Sequence, residues 1–353
     1  MLDTLLEQLA SGRALTGAQV DDAVEQLTDA TVPAALKADF LGRLAHKGET
    51  TGEITAFARA LREKSVRPLL DSGTRTREIL DVCGTGGDQL GTFNISTTVA
   101  ILCAAAGVTV AKHGNRAVTS RSGSADVLEA LGVRIDLAPG EAAQWLRERH
   151  FAFFFAPNFH PAFKHIAPAR KLCAARGQRT IFNFLGPLLN PAQPSVQLIG
   201  VPQPALCEPI ARVLQSLGVR RGMVVCGQVA GVAGEGPVEA SLDELSTLGP
   251  NTVAEFYQER GFATSTFDPG QLPLQPATLA DLRGGDAAAN AEIIRRILRG
   301  EERGPKRDAV LLNTGAALLV AGHARSIAEG WERGLSIIES GRGWQKLEAL
   351  TAR

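Results

Sequence analysis

The apolar pattern of the chain changes near residue 79, and this change limits the folds that are open to it. Before that point, apolar residues recur at the i, i+3, i+4 and i+7 spacing of amphipathic helices. After it, short apolar runs that predict strands alternate with helical segments and glycine-rich turns, as in α/β domains with a largely parallel sheet. We therefore predict a small helical domain over residues 1–70 and a large α/β domain over residues 78–353.

The first part of the chain is predicted to contain four helices, followed by a linker. The helices fall at residues 2–9, 20–27, 33–44 and 50–61. Thr50 and Glu53 have the spacing of a capping box at the start of the fourth helix. Because short helices are marginal alone, we expect them to pack together, with a linker at residues 68–77. We also expect a helix near residues 160–176 to pack with them.

The second part is predicted to contain buried strands separated by helices. The strands fall at residues 79–82, 108–111, 151–155 and 222–226. The helices fall at residues 95–106, 125–131, 288–298, 309–321 and 327–338. We expect the last three helices to pack on the sheet.

Charge and cysteine usage exclude several classes of protein. Lysine plus arginine equals aspartate plus glutamate at 37 each, so the chain lacks the basic excess of a general nucleic-acid or membrane-surface binder. No stretch approaches the ~18 apolar residues of a membrane span. The five cysteines are scattered and have no CxxC spacing, which disfavours a disulfide framework or a zinc site. We expect a cytoplasmic protein.

The richest segment for chemistry is CGTGGDQLGTFNISTT at residues 83–98. It follows a predicted strand and opens a predicted helix, whose free N–H groups can bind an anion. Its glycines let the backbone approach a ligand closely, and Asn94 is predicted to cap the helix. The segment is neither a Walker P-loop nor a GxGxxG fingerprint. It predicts a phosphate site, although a plain strand–turn–helix connection has the same outline.

A second donor-rich segment, VAKHGNRAVTSRSGSAD, covers residues 110–126. Lys112, His113, Asn115 and Arg116 follow the next predicted strand. Ligands in open α/β sheets bind at strand ends, so the two segments could converge on one polyanion. The alternatives are a solvated loop for Lys112 and Arg116 and a structural role for His113.

An adjacent carboxylate pair, Asp243 and Glu244, could bind a cation. Mg²⁺ prefers hard oxygen ligands and usually shares its site with phosphates. The alternative is an acidic helix N-terminus, which is common.

A basic segment at residues 156–179 contains a helix entered through Pro161. Arg170 on this helix could pair bidentately with a carboxylate. The alternative from the residues alone is an amphipathic surface helix.

Together these segments closely resemble the anthranilate phosphoribosyltransferases, enzymes of tryptophan biosynthesis. The resemblance covers most of the chain. It is carried by GTGGD at 84–88, NIST at 94–97, KHGNR at 112–116, SGSADVLEALGV at 122–133, RTIFNFLGPLLNP at 179–191 and LDEL at 242–245. GTGGD alone is weak, since related nucleoside phosphorylases have glycine loops there. The motifs in this order are a specific joint signal.

The resemblance implies a nucleoside phosphorylase-like α/β domain with a mostly parallel central sheet, beside a small helical domain. It implies transfer of the phosphoribosyl group of phosphoribosyl pyrophosphate to the amine of anthranilate, with Mg²⁺ as cofactor, usually in a homodimer. Neither a nucleic acid nor a membrane is expected as a partner. The glycine-rich loop at 227–238 is longer than is usual in the family.

Matching positions imply the site residues. Phosphoribosyl pyrophosphate is expected to contact Gly84, Gly87, Asp88, Thr92, Asn94, Ile95, Ser96, Thr97, Lys112, His113, Gly114, Asn115, Arg116, Ala117, Val118, Thr119, Ser120 and Ser124. Mg²⁺ is expected on Ser96, Asp243 and Glu244, and anthranilate against Gly84, Asn115 and Arg170. Lys112 is expected to stabilise charge on the leaving group, and no residue is expected to act as a nucleophile or clear general base.

Two other functions fit parts of the pattern. A nucleoside phosphorylase would share the glycine loop but need little metal, and the Asp243–Glu244 pair disfavours it. A non-enzymatic relative that binds nucleic acid would need a basic surplus, which the chain lacks.

Overall fold

The computed structural model of the chain describes residues 2–117, 121–229, 240–258 and 260–352. Within residues 2–70 the helices are α1 (Leu2–Ala10), α2 (Gly17–Thr28), α3 (Ala34–Lys47) and α4 (Thr51–Glu63). The capping box predicted for Thr50 and Glu53 is present at the start of α4. The prediction of a small N-terminal helical domain is therefore confirmed. A four-residue helix, α5 (Ser72–Arg75), interrupts the predicted linker.

The strands of the described residues form one sheet. They are β1 (Ile79–Gly84), β2 (Thr109–Gly114), β3 (Phe151–Phe155), β4 (Val196–Gly200), β5 (Arg221–Val229), β6 (Ala240–Leu242), β7 (Asn251–Tyr257) and β8 (Gly261–Phe267). The sheet order is β3-β2-β1-β4-β5-β7-β8, with β6 paired to β5. Strands β1 to β5 run parallel, while β6, β7 and β8 join antiparallel. The predicted mostly parallel sheet is confirmed, and β4, β6, β7 and β8 were not predicted.

Helices cover both faces of the sheet. They are α6 (Ile95–Ala105), α7 (Ser124–Ala130), α8 (Pro139–Arg149), α9 (Ala156–Phe159), α10 (Ala167–Ala175), α11 (Phe182–Leu188), α12 (Cys207–Ser216), α13 (Leu279–Leu282), α14 (Ala287–Leu298), α15 (Pro305–Val320), α16 (Ile327–Glu339) and α17 (Arg342–Thr351). Short 3₁₀ turns lie at Pro161–His165, Pro204–Leu206 and Pro269–Gln271. None of the described helices has the length and apolar character needed to cross a membrane.

Side chains of the central strands alternate between two apolar clusters. Met223 and Val225 of β5 pack with α6 and the C-terminal helices, while Val224 and Cys226 pack on the opposite face. The cluster on that opposite face is continuous with the buried faces of α1 to α4, α10, α11 and α12. The small domain therefore shares a core with one face of the sheet.

Helix α10 rests on α3 of the small domain. Cys173 Sγ lies 3.5 Å from the carbonyl oxygen of Ala38, and Arg176 pairs with Asp39 at 3.1 Å. Residues 161–165, predicted as the start of this helix, instead form a 3₁₀ turn, and α10 begins at Ala167.

Candidate active site

The carboxyl ends of β1 and β2 lie side by side because these two strands pair in parallel. Lys112 of β2 extends its fully buried side chain across the pair, and its Nζ donates to the carbonyl oxygen of Val82 at 2.7 Å. The same Nζ lies 3.4 Å from Ser96 Oγ in the first turn of α6. The two donor-rich segments therefore converge, as their positions after neighbouring strands predicted.

The acidic pair lies against the glycine turn that follows β1. Asp243 and Glu244 come directly after β6, which pairs antiparallel with β5, so the helix N-terminus alternative is wrong. Asp243 Oδ2 accepts a hydrogen bond from the backbone N–H of Gly86 at 2.5 Å, although 157 positions separate the two residues. Glu244 accepts hydrogen bonds from the backbone and hydroxyl of Ser96.

Two glycines make room for Asp243. A Cβ on Gly84 would lie 2.5 Å from Asp243 Oδ2, and one on Gly200 would overlap the carbonyl oxygen of Asp243. Contacts this short leave no space for a side chain. Gly84 was singled out from the sequence, whereas Gly200 was missed. In the sequence, Gly200 could have been found as the glycine that ends the mostly apolar run VQLIG.

Three carboxylates share this buried corner with one lysine. Burial, together with the charges of Asp88 and Glu244, raises the pKa of Asp243 well above its ordinary value. Burial also raises the pKa of Glu244 to about 7, although Lys112 opposes the shift. The pKa of Lys112 itself is lowered by burial. The corner therefore carries more potential negative charge than its own cation offsets.

The donor set fits a magnesium ion that shares its coordination with a ligand. Asp88 Oδ2 is buried and has no hydrogen-bond partner among the residues that the structure describes. Those residues contain no group of three or more histidine, cysteine or acidic side chains able to hold a metal by themselves. Mg²⁺ needs few protein ligands when phosphate oxygens and waters complete its octahedron. Ser96, Asp243 and Glu244 would supply the protein side of such a site.

Asn94 occupies the N-cap position of α6, but its side chain does not cap the helix. Its Nδ2 instead donates to the carbonyl oxygen of Ser122 at 3.1 Å, and its Oδ1 accepts from Asn290 at 2.8 Å. The predicted N-cap position is therefore confirmed, but the side chain bonds to these distant partners instead of to the local N–H groups. The N–H groups of the first turn of α6 are thus not occupied by this side chain.

Asp126 shapes the loop after β2, and sequence reasoning missed it. Its Oδ2 accepts from the backbone N–H groups of Ala117 and Gly123, both at 2.9 Å, and its Oδ1 pairs with Arg116 at 3.0 Å. Burial alone would raise the pKa of Asp126, but these donors lower it overall. The signal was an acidic residue in the first turn of the predicted helix at 125–131, where carboxylates accept from free backbone N–H groups.

The remaining predicted donors are placed unevenly around this loop. The Arg116 guanidinium also pairs with Glu129 at 2.8 Å, and Asn115 is exposed. Ser124 opens α7, and Gly114 ends β2. Ile95 and Thr97 are buried in the first turn of α6, while Thr92 forms an isolated bridge with Arg283. Val118, Thr119 and Ser120 lie outside the described residues, as does most of the loop at 227–238.

A row of rings leads from His113, near the end of β2, to Arg170. His113 Nδ1 lies 3.2 Å from the carbonyl oxygen of Gly186, and its ring is 5.2 Å from that of His160. The ring centres of His160 and Phe163 are 5.1 Å apart, and those of Phe163 and Phe182 are 5.7 Å apart. The row connects the donor-rich corner with α10.

The guanidinium of Arg170 ends this row. It lies 5.3 Å from the centre of the Phe182 ring, and no carboxylate of the described residues pairs with it. Burial lowers the pKa of His113 to about 3 and that of His160 to about 4, so both rings are neutral near pH 7. Arg170 is consequently the charged group of this row, and its fork can accept an anion.

Comparisons with known proteins identify the family of the chain. The α/β domain of a glycosyl transferase family matches residues 76–344, and the helical bundle domain of a glycosyl transferase family matches residues 3–65. An anthranilate phosphoribosyltransferase from Petrotoga mobilis is 45% identical over 350 residues, which is 99% of this chain and 96% of the relative. The chain belongs to the anthranilate phosphoribosyltransferase family.

Solved structures of this family share the fold. The anthranilate phosphoribosyltransferase from Thermus thermophilus is 40% identical with a TM-score of 0.85, and the match covers 98% of each chain. The enzyme from Saccharomyces cerevisiae, solved in complex with phosphoribosyl pyrophosphate and Mg, is 26% identical with a TM-score of 0.85. That match covers 99% of this chain and 96% of the yeast chain. The fold expected from the resemblance is confirmed.

Proposed function

We propose that the chain transfers the phosphoribosyl group of phosphoribosyl pyrophosphate to the amine of anthranilate and releases pyrophosphate. The observation that carries the proposal is the convergence of the glycine turn after β1, Lys112 and the Asp243–Glu244 pair at one edge of the sheet. A pyrophosphate leaving group needs N–H donors, a cation and a metal, and this corner offers groups for all three.

At the donor end, the chain's own groups hold the pyrophosphate. Gly86 and Ser96 donate their backbone N–H groups to Asp243 and Glu244. When these carboxylates turn to the metal, the N–H groups at the glycine turn and at the start of α6 can bind the anion, as at other helix N-termini. Lys112 adds a buried positive charge beside Ser96. Ser96, Asp243 and Glu244 hold Mg²⁺, which when bound neutralises charge that develops on the leaving group.

At the acceptor end, Arg170 binds the carboxylate of anthranilate. Its guanidinium has no acidic partner among the described residues and is steadied by the ring of Phe182. The partly exposed ring of Phe163, which packs against the rings of His160 and Phe182, can contact an aromatic acceptor beside Arg170. Gly84 and Asn115, at the ends of β1 and β2, border the same space.

The reaction on this site is a direct displacement at the anomeric carbon. The aryl amine is itself the nucleophile, so the site needs no serine, cysteine or lysine nucleophile. Catalysis comes from holding the two substrates in line and from stabilising the departing charge.

We also propose a cytoplasmic homodimer. All five cysteines are free and buried, which agrees with a reducing compartment. The dimer follows from the family resemblance alone, and sedimentation equilibrium of the purified chain tests it.

An anthranilate fluorescence assay tests the activity. With Mg²⁺ and phosphoribosyl pyrophosphate, we expect the purified chain to consume anthranilate, and EDTA to stop the reaction. Unchanged fluorescence would reject the proposed function. Phosphate-dependent cleavage of nucleosides that survives EDTA would instead favour a nucleoside phosphorylase.

A further inference from the structure

Lys37 of α3 is a buried lysine that the reaction does not use. Its side chain is among the largest fully buried ones, with 1% of the residue exposed. Its Nζ donates to the carbonyl oxygen of Asp29 at 2.6 Å and to that of His165 at 2.9 Å. These carbonyls are 136 positions apart in the chain by residue number, so Lys37 joins two distant segments.

Both carbonyls belong to the ends of helical segments. Asp29 is the C-cap of α2, and His165 is the last residue of the 3₁₀ turn Pro161–His165. Helix C-termini carry free carbonyls and a partial negative charge. One ammonium group therefore satisfies two such ends at once, and the nearby Asp29 carboxylate opposes the lowering of the Lys37 pKa by burial.

The carbonyl of His165 that Lys37 contacts lies just before the start of α10. Ile166 follows His165 as the N-cap of α10, and the backbone N–H of Arg170 donates to the carbonyl oxygen of Ile166 at 3.1 Å. Ile166, Ala169 and Cys173 form the buried side of this segment against the small domain. The Arg170 guanidinium lies over Phe182, and Arg170 is five residues after the carbonyl that Lys37 contacts.

We infer that Lys37 is a positioning residue for the acceptor end: by holding the carbonyl of His165, it sets the first turn of α10 and so the place of the Arg170 guanidinium. The inference rests on the proposed role of Arg170. Lys37 itself touches neither substrate. The consequence is that a change deep in the small domain alters recognition of the acceptor and leaves the donor end as it was.

The same helix supplies a matched control. Lys47, at the C-terminal end of α3, is also buried and pairs with Glu53 at 2.8 Å, with side-chain exposures of 5% and 0%. Lys47→Met removes a buried ammonium from the small domain without touching His165 or α10. A comparison of Lys47→Met with Lys37→Met distinguishes a general loss of stability from a displacement of the Arg170 guanidinium.

Steady-state kinetics give the first readout. For Lys37→Met we expect the KM for anthranilate to rise about tenfold, the size of effect that loss of a charge-assisted hydrogen bond supports. We expect the KM for phosphoribosyl pyrophosphate to change less than about twofold. Lys47→Met should lower the melting temperature yet keep both KM values within about twofold. Lys37→Gln, which keeps a shorter donor, should give an intermediate anthranilate KM and serves if Lys37→Met does not fold.

Hydrogen exchange gives a readout that needs no activity. In the substrate-free protein, we expect the amides within residues 166–171, apart from Pro168, which has no N–H, to exchange about tenfold faster in Lys37→Met than in wild type or Lys47→Met. If wild type consumes no anthranilate, the proposed function fails and the acceptor role of Lys37 fails with it. If wild type is active, an unchanged anthranilate KM in Lys37→Met, or an equal rise in Lys47→Met, overturns the inference alone. Unchanged exchange at 166–171 would overturn it as well.

Discussion

The proposed donor end and the proposed acceptor end of this site are built in different ways. The donor end is formed by neighbouring strand ends of one sheet, where Lys112 crosses from β2 to the carbonyl of Val82 in β1. The acceptor end is formed by α10 and α11, which pack against the small domain. Arg62 of α4 reaches α11 through a hydrogen bond to the carbonyl oxygen of Leu188. The sheet thus fixes one end directly, whereas the other depends on contacts between domains.

The two ends also differ in charge. At the donor end Asp88, Asp243 and Glu244 lie close together, so burial and like charge raise the pKa values of Asp243 and Glu244, and Glu244 also faces the buried Lys112, which suits a metal and a polyanion. The acceptor end presents one guanidinium at the end of a row of neutral rings. A substitution at either end should therefore affect one substrate and spare the other.

Glu244→Gln is expected to give the largest difference between the effects on the two substrates. The variant removes a charged oxygen from the proposed metal site, and we expect kcat/KM for phosphoribosyl pyrophosphate to fall about 10²–10³-fold. The Mg²⁺ concentration at half-maximal rate should rise in parallel. Asp308→Asn is the control, since Asp308 is a buried carboxylate on α15 that accepts from the backbone of Gln275. Equal losses in both variants would show that the effect comes from losing any buried carboxylate and is not specific to the proposed metal site.

Arg170→Ala should produce the opposite pattern. Loss of a bidentate partner for the carboxylate should raise the KM for anthranilate about 50-fold, while the KM for phosphoribosyl pyrophosphate stays within about threefold. Initial rates with each substrate varied in turn measure both. Arg176→Ala, at the exposed end of the same helix, is the control. An unchanged anthranilate KM in Arg170→Ala would remove Arg170 from the acceptor end.

The charge of the donor end predicts a dependence of stability on pH. Folding raises the pKa of Glu244 from the ordinary 4.5 to about 7. An acid whose pKa is raised by folding stabilises the folded state at pH values below its pKa in the unfolded chain. This stabilisation is lost as the pH rises through its folded-state pKa of about 7. Between about pH 5 and pH 8, the metal-free wild type should therefore lose a few degrees more in melting temperature than Glu244→Gln. Arg170→Ala should keep the wild-type slope, and a wild-type slope in Glu244→Gln would contradict the assignment.

The smallest effect is expected at Arg116. Its guanidinium already pairs with Asp126 and Glu129 near the surface, and exposed pairs contribute about 0–1 kcal/mol. We expect Arg116→Ala to change the KM for phosphoribosyl pyrophosphate less than about fivefold. A loss as large as that in Glu244→Gln would show that Arg116 leaves its carboxylates to bind the substrate.

The donor end was more accessible to sequence reasoning than the acceptor end. Strand periodicity placed the segments after β1 and β2 at one sheet edge, because parallel neighbours end together. It could not bring Asp243 to Gly86, since that contact depends on the three-residue strand β6 pairing with β5. A three-residue strand leaves almost no local pattern. Strand β8 has seven residues but is mostly exposed, so it lacks the apolar alternation that marks a strand.

No local sequence pattern could predict which residues contact each other between the two domains. Lys37, Phe40, Leu41 and Leu44 share one helical face, so a lysine inside an apolar stripe was the available signal for a buried cation. The pattern could not name its partners, because the carbonyls of Asp29 and His165 meet only in the folded chain. Asn94 shows the same limit, since its side chain bonds to Ser122 and Asn290 instead of its own helix.

The most direct measurement is the position of the metal. Crystals grown with phosphoribosyl pyrophosphate and Mn²⁺ in place of Mg²⁺ would reveal the ion by its anomalous scattering. We predict one peak at about metal–oxygen bonding distance from the Asp243–Glu244 pair and from the pyrophosphate, beside the turn at Gly84–Gly87. A pyrophosphate bound elsewhere, or an ion held only by surface carboxylates such as Glu129, would contradict the account.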